Sequence, residues 1–239
     1  MTNDFATRRQ VLTSLGAGGI GLLVTAAPGR AEEKKDEEVA ANEDLMRERG
    51  LIRRALFVYE EAARRARKAP KTLPLARLGD TAKLFREFAE DYHEHALEEV
   101  HIFPVVRKLK APVAKLPDVL LAQHQRGREI TDYVRQIAAR PTLSAVDAGH
   151  LASALEGFVR MYEPHAARED TELFPAWKKA LGERGYAEMG ERFEEIEHRT
   201  FGGDGFADAL EKITAIEADF DLADLSKMTA PKPPTDAAR

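Results

Sequence analysis

The feature that most constrains this chain is its hydrophobic period. From about residue 42 to about residue 221, apolar positions recur at alternating steps of three and four, and no alternating strand pattern appears. Short links cut this run at "APKTLP", "APVAKLPD" and "RPTLSAVD". They predict helices over about 42–68, about 80–110 with Asp80 as N-cap, about 118–139 and about 144–181. Two shorter helices are expected at about 183–200 and 205–220, separated by "FGGDG". Four long helices with short links predict an all-α, up-down-up-down four-helix bundle carrying two shorter C-terminal helices.

The ends read differently. "TRRQVLTSLGAGGIGLLVTAAPGRA" sets Arg8 and Arg9 before an uncharged, glycine-rich run and then small residues, so cleavage after Ala31 or Ala27 fits an export signal. T-R-R-Q-V-L resembles the twin-arginine signal. That resemblance implies passage through the twin-arginine export machinery in folded form, to a periplasmic or other extracytoplasmic location. The expected organisation is a signal peptide over 1–31, a helical domain over 42–222 and a disordered tail over 223–239, which ends in "TAPKPPTDAAR".

Composition narrows the chemistry. The chain has no cysteine, which excludes iron–sulfur, zinc-finger and thiol-nucleophile sites. A net charge of −5, with no basic stripe to offset it, argues against a nucleic-acid partner. No phosphate-binding glycine loop or serine-nucleophile setting is present. Any metal must be held by His, Asp or Glu.

Such ligands interrupt the apolar stripes. The second helix reads Leu84, Phe88, Tyr92, His95, Glu99, Ile102, Val106 along one face. The fourth reads Leu151, Leu155, Phe158, Tyr162, His165, Glu169, Leu173, and the third carries His124 between Leu120 and Gly127. By the same period His93 and His101 fall off the stripe. One inward histidine is most often an ordinary hydrogen-bonded core residue. Buried carboxylates cost several kcal/mol unless something positive meets them, so two His/Glu pairs four residues apart plus a third His predict a bound cation. Imidazole and carboxylate together suit iron, manganese or zinc. A weak internal repeat supports the pairing: "EEVHIFP" at 98–104 returns as "EDTELFP" at 169–175, an offset of 71.

"HALEEVHIFP" and "HAAREDTELFP" resemble the two H-x-x-x-E…F-P segments of the hemerythrin-like, or HHE cation-binding, family. "QHQRGREIT" resembles its third-helix segment, "MRERGLIRRALFVYEEAARR" its first helix, and "FEEIEHRTFGGDGF" a C-terminal element of an exported branch. The resemblance implies a non-haem iron centre, di-iron in type, with another divalent cation as the alternative. It also implies a small ligand such as O2, peroxide or nitric oxide. By matching position it implies His95 and Glu99 from the second helix, His124 from the third, and His165 with Glu169 or Asp170 from the fourth. The stripe favours Glu169, while the repeat aligns Asp170 with Glu99.

Two positions depart from the family pattern. Arg49 stands where the first helix carries a ligating His, on the stripe Leu45, Arg49, Ile52, Leu56, and Arg128 stands where oxygen carriers place another. An arginine stays protonated and cannot ligate, so Arg49 is expected to pair with a core carboxylate, Glu99 or Glu169. His93, Glu98 and His198 are candidates to fill or support the gap. Three functions stay open: a redox-linked protein acting on a small oxygen-type ligand; a non-catalytic single-metal, iron-sensing or iron-sequestering module; or a metal-free structural or interaction bundle in which Arg49 neutralises the core carboxylates.

Overall fold

The computed structural model describes residues 41–233. The expected signal at 1–31 and the last residues of the expected tail lie outside them. Among the described residues the chain is all helix and turn, with no strand. Four long helices close a ring: α1 (Ala41–Lys68), α2 (75–106), α3 (Leu116–Ala138) and α4 (145–181). α1 packs on α4 and α2, and α3 packs on α2 and α4. Links this short leave sequential helices antiparallel neighbours, which gives the up-down-up-down bundle. Two shorter helices follow, α5 (183–201) and α6 (Gly205–Asp219), and α6 lies across α1 and the start of α2.

Local chemistry sets the boundaries. α2 starts at Leu75 directly after Pro74, so Asp80 sits inside the helix and is not the expected N-cap. Ser144 caps α4, its hydroxyl accepting the Asp147 N–H at 3.1 Å, and Asp204 caps α6 by accepting the Ala207 N–H at 2.8 Å. Each such cap contributes about 1 kcal/mol. Gly182, at φ 69° and ψ 175°, breaks α4 from α5 in a conformation that side chains avoid. Leu225–Met228 forms a 3₁₀ turn inside the segment expected to be disordered.

The core has an aromatic floor. Tyr59, Phe85, Phe158 and Tyr162 pack with ring centroids 5.0 to 5.8 Å apart. α3 approaches this floor through Gly127, where an added Cβ would stand 3.3 Å from the Phe158 ring. Tyr162 stacks on His165 at 5.1 Å, so the floor ends where a polar cluster begins.

The helices that carry the cluster are not uniform. Within α2, Phe85–Ile102 is wound as a π-helix, and within α4 so is Glu169–Leu173. The Phe103 N–H donates to the Glu98 carbonyl and the Phe174 N–H to the Glu169 carbonyl, five residues back in each case. A proline follows each phenylalanine, at Pro104 and Pro175. Proline has no N–H, and its ring collides with the carbonyl four residues back. A widened turn just before the proline relieves that collision.

Winding changes which side chains face inward. Positions five apart lie about 140° apart at 3.6 residues per turn, but only about 50° apart at about 4.4 per turn. On α2 the buried row is therefore Phe88, His93, Glu98, with Glu90 and Glu94 beside it.

Candidate metal centre

The π-wound part of α2 reverses the order of its histidines. His93 is buried and His95 is exposed, its side chain 63% accessible. The expectation that His95 faces the core is overturned, because it assumed an α-helical period where the ladder is π. Glu98 is fully buried, while Glu99 sits at the rim. His124 and His165, on regular α-helix, face inward as their stripes predict, and Glu169 is buried at the start of its π turn. Asp170 lies outside, a quarter exposed and paired with Arg49. His198 is exposed near the end of α5 and is not among the grouped side chains.

Four buried side chains from three helices converge: Glu98, His124, His165 and Glu169 each offer one ligand atom within 4.8 Å of the others. His124 Nε2 is 3.2 Å from His165 Nε2 and 3.4 Å from Glu98 Oε2. His165 Nε2 is 2.8 Å from Glu169 Oε1. Adjacent ligands on one transition-metal ion, bonded at about 2.1 Å, stand roughly 3.0 to 3.4 Å apart. The edges of this cluster fall close to that range.

Each imidazole is held by its other nitrogen. His93 Nδ1 donates to Glu48 Oε2 at 2.7 Å, His124 Nδ1 to Glu99 Oε1 at 2.9 Å, and His165 Nδ1 to Gln123 Oε1 at 2.9 Å. With the proton on Nδ1, the Nε2 of His124 and of His165 would each turn a lone pair to a bound cation, which is how ligating histidines are oriented. His124 Nε2 and His165 Nε2, 3.2 Å apart, are held together by a shared proton or by a cation between them. Further supports surround these: the Tyr92 hydroxyl donates to Glu48 Oε1 at 2.9 Å, and the Tyr162 hydroxyl donates to Glu94 Oε1 at 3.2 Å. Glu48 and Glu94 were missed from sequence. Glu48 sits three residues after Leu45 and four before Ile52, so the α1 stripe is wide enough to hold it beside Arg49.

Charge at the cluster is unbalanced. Glu48, Glu94, Glu98, Glu99, Glu169 and Asp170 face three guanidiniums, those of Arg49, Arg128 and, at the rim on Asp170, Arg53. Burial alone would lower His93, but Glu98 and Glu48 outweigh it and raise the ring to about 10. His124 is likewise lowered by burial, then raised to about 9 by Glu94, Glu99, Glu98 and Glu169. Glu98 is pushed up by burial and by Glu169. Burial also acts to raise Glu169, but His165, His124 and Arg49 outweigh it and hold it down. The site attracts positive charge of any kind.

Donor and acceptor matching identifies what fits. Both oxygens of Glu98 lack a hydrogen-bond partner, as do His93 Nε2 and Glu169 Oε1, although close atoms surround them. Buried carboxylate oxygens are not left unmatched without a large cost. Contacts of 2.8 to 3.4 Å that are not aligned as hydrogen bonds fit ligand atoms facing a shared cation. These residues suit a first-row transition metal.

The repeat now takes physical form. At the offset of 71, Glu98 pairs with Glu169, Glu94 with His165, and Glu99 with Asp170. The first pair is buried in the centre, and the last pair lies at its rim with an arginine on each: Arg128 Nη2 donates to Glu99 Oε1 at 2.7 Å, and Arg49 pairs with Asp170. Thus Arg49 and Arg128 hold the two outer carboxylates.

A ring of four antiparallel helices with inward Glu and His ligands defines a cation-binding bundle protein. Comparison with known proteins gives the family: the model of the "Hemerythrin HHE cation binding domain" matches residues 40–177, and the chain belongs to that family. An uncharacterized protein of Mycobacterium tuberculosis is 37% identical over 242 residues, covering 95% of this chain and 93% of its own. An uncharacterized protein of Mycobacterium bovis matches to the same extent. No solved structure matches the chain. Membership in the family implies a metal-binding role, and the clusters of His and Glu here are suited to one.

Proposed function

We propose that this protein holds non-haem iron on Glu98, His124, His165 and Glu169, with His93 beside them, and uses it to bind and reduce or oxidise a small oxygen-type ligand. One observation carries the reading: Glu98 is completely buried with neither oxygen hydrogen-bonded. Bound iron would supply one-electron redox chemistry and an open position for O2, peroxide or nitric oxide.

The chain's own residues do the rest. Glu48, Glu99 and Gln123 fix the imidazole tautomers. Phe103 stacks on His124 at 5.5 Å and Tyr162 on His165 at 5.1 Å, walling the centre from bulk water. The Tyr162 hydroxyl, held on Glu94, places a proton near the centre. The Arg8–Arg9 pair and the small-residue segment after it support export through the twin-arginine route, with metal inserted before export.

A second reading is a non-catalytic metal-holding or iron-sensing module. Burial of all four gathered side chains favours it, since turnover needs access. Metal analysis of the purified full chain, combined with visible spectra before and after exposure to O2, peroxide and nitric oxide, separates the two. Iron with a spectral response supports the first, and iron with none supports the second. Absence of metal, with thermal stability indifferent to chelator, removes both.

A further inference from the structure

The two core carboxylates are shared unequally. Glu98 turns Oε2 to His124 Nε2 at 3.4 Å and Oε1 to His93 Nε2 at 3.3 Å, so it faces two positions. Glu169 turns Oε1 to His165 Nε2 at 2.8 Å, but its Oε2 faces Arg49 Nη1 at 3.6 Å. The first position thus has four protein ligands. The second has His93 Nε2, Glu98 Oε1 and, on its far side, a carboxylate oxygen already facing a guanidinium.

Arg49 is built into that place. It is 2% exposed, its guanidinium lies 4.2 Å over the Phe174 ring, and its other terminal nitrogen pairs with Asp170. Its Nε and Nη1 have no hydrogen-bond partner. A guanidinium stays charged and has no lone pair to give, so it repels a metal cation while neutralising the same carboxylates.

Arg128 likewise sits on the neighbouring group of Glu94, Glu99 and His124, 2.7 Å from Glu99 and 3.6 Å from Glu94. We propose that Arg49 serves as a permanent internal cation in place of a second metal, so that this chain holds a single ion, on Glu98, His124, His165 and Glu169, where a symmetric centre would hold two. This rests on the metal-binding reading above. His93 then acts as a positioning residue: as the imidazolium it donates from Nδ1 to Glu48 and turns its Nε2–H toward Glu98 Oε1 at 3.3 Å, steadying the shared carboxylate from the side with no metal.

The test is metal stoichiometry, by elemental analysis and native mass spectrometry of the full chain titrated with ferrous iron. The wild type saturates at one ion per chain, Arg49→Lys also at one, and Arg49→His at two. Two ions in the wild type overturn the inference and leave the metal-binding reading intact. No ion overturns both. A folded Arg49→His that still saturates at one ion also overturns it. Should Arg49→His not fold, the wild-type titration decides, because uptake of a second equivalent contradicts the inference and saturation at the first supports it.

Discussion

Glu98→Gln is expected to move stability in opposite directions with and without metal. Glu98 is fully buried with neither oxygen in an aligned hydrogen bond, and burial with Glu169 outweighs the His93 and His124 rings beside it, so its pKa is raised and its charged form is disfavoured. A buried unpaired carboxylate costs several kcal/mol, while a buried amide with imperfect partners costs about 1 to 3. Metal-free Glu98→Gln should therefore be more stable than metal-free wild type by about 1 to 3 kcal/mol. Metal reverses the order. At a thousandfold excess over Kd, binding stabilises the wild type by about 4 kcal/mol, or roughly 8 to 16 °C in Tm for a domain of this size. The amide oxygen carries no charge and ligates poorly, so the variant should lose most of that gain. Calorimetry of both proteins, chelated and then reloaded with ferrous iron or zinc, reads the four values. A metal-free variant less stable than the metal-free wild type, or one that keeps the full metal-dependent shift, would contradict a metal-ligating role for Glu98.

Other outcomes follow from the same geometry. His93→Ala should weaken metal retention, whereas His95→Ala should leave metal content unchanged and stability within about 0.5 kcal/mol, as read by elemental analysis and thermal melts. Glu90 is pushed to about 7 by burial, against the Thr131 hydroxyl that donates to it at 2.5 Å. Its folded value lies above its unfolded one, so its contribution is complete below about pH 4.5 and is lost as pH rises through about 7. That amounts to at most about 3 kcal/mol, and a stability–pH profile of Glu90→Gln should lack the slope. Phe158→Ala should cost about 3 to 5 kcal/mol in denaturant unfolding, since it empties the aromatic floor. Replacing Arg8 and Arg9 by lysine should trap the chain in the cytoplasm on cell fractionation.

The bundle was legible because its evidence is local and redundant. Leu151, Leu155, Phe158 and Tyr162 mark one face of α4 by spacing alone, and "APKTLP" and "RPTLSAVD" cut the helices near where the structure does. The inward facing of His124 and His165 was legible for the same reason, as each sits on regular α-helix, while spacing left Glu169 and Asp170 as alternatives at the point where the π turn begins. On α2 the winding departs from the α-helical period. A 3.6 period carried through Phe85–Ile102 selects His95 and Glu99, and the π ladder selects His93 and Glu98. The sequence held a hint, for the 71-residue repeat sets Glu98 against Glu169 and Glu99 against Asp170. Choosing between those pairs requires knowing that the turn widens ahead of Pro104. The Arg49–carboxylate pairing was expected from charge, and Arg49 faces both Glu169 and Asp170.

The measurement that bears most directly on the centre is an anomalous difference map at the iron edge from crystals of the protein purified with its metal. A peak bounded by Nε2 of His124, Nε2 of His165 and carboxylate oxygens of Glu98 and Glu169 is predicted, with no peak at His95. A map with its peak at His95, or with none among these four side chains, would contradict it.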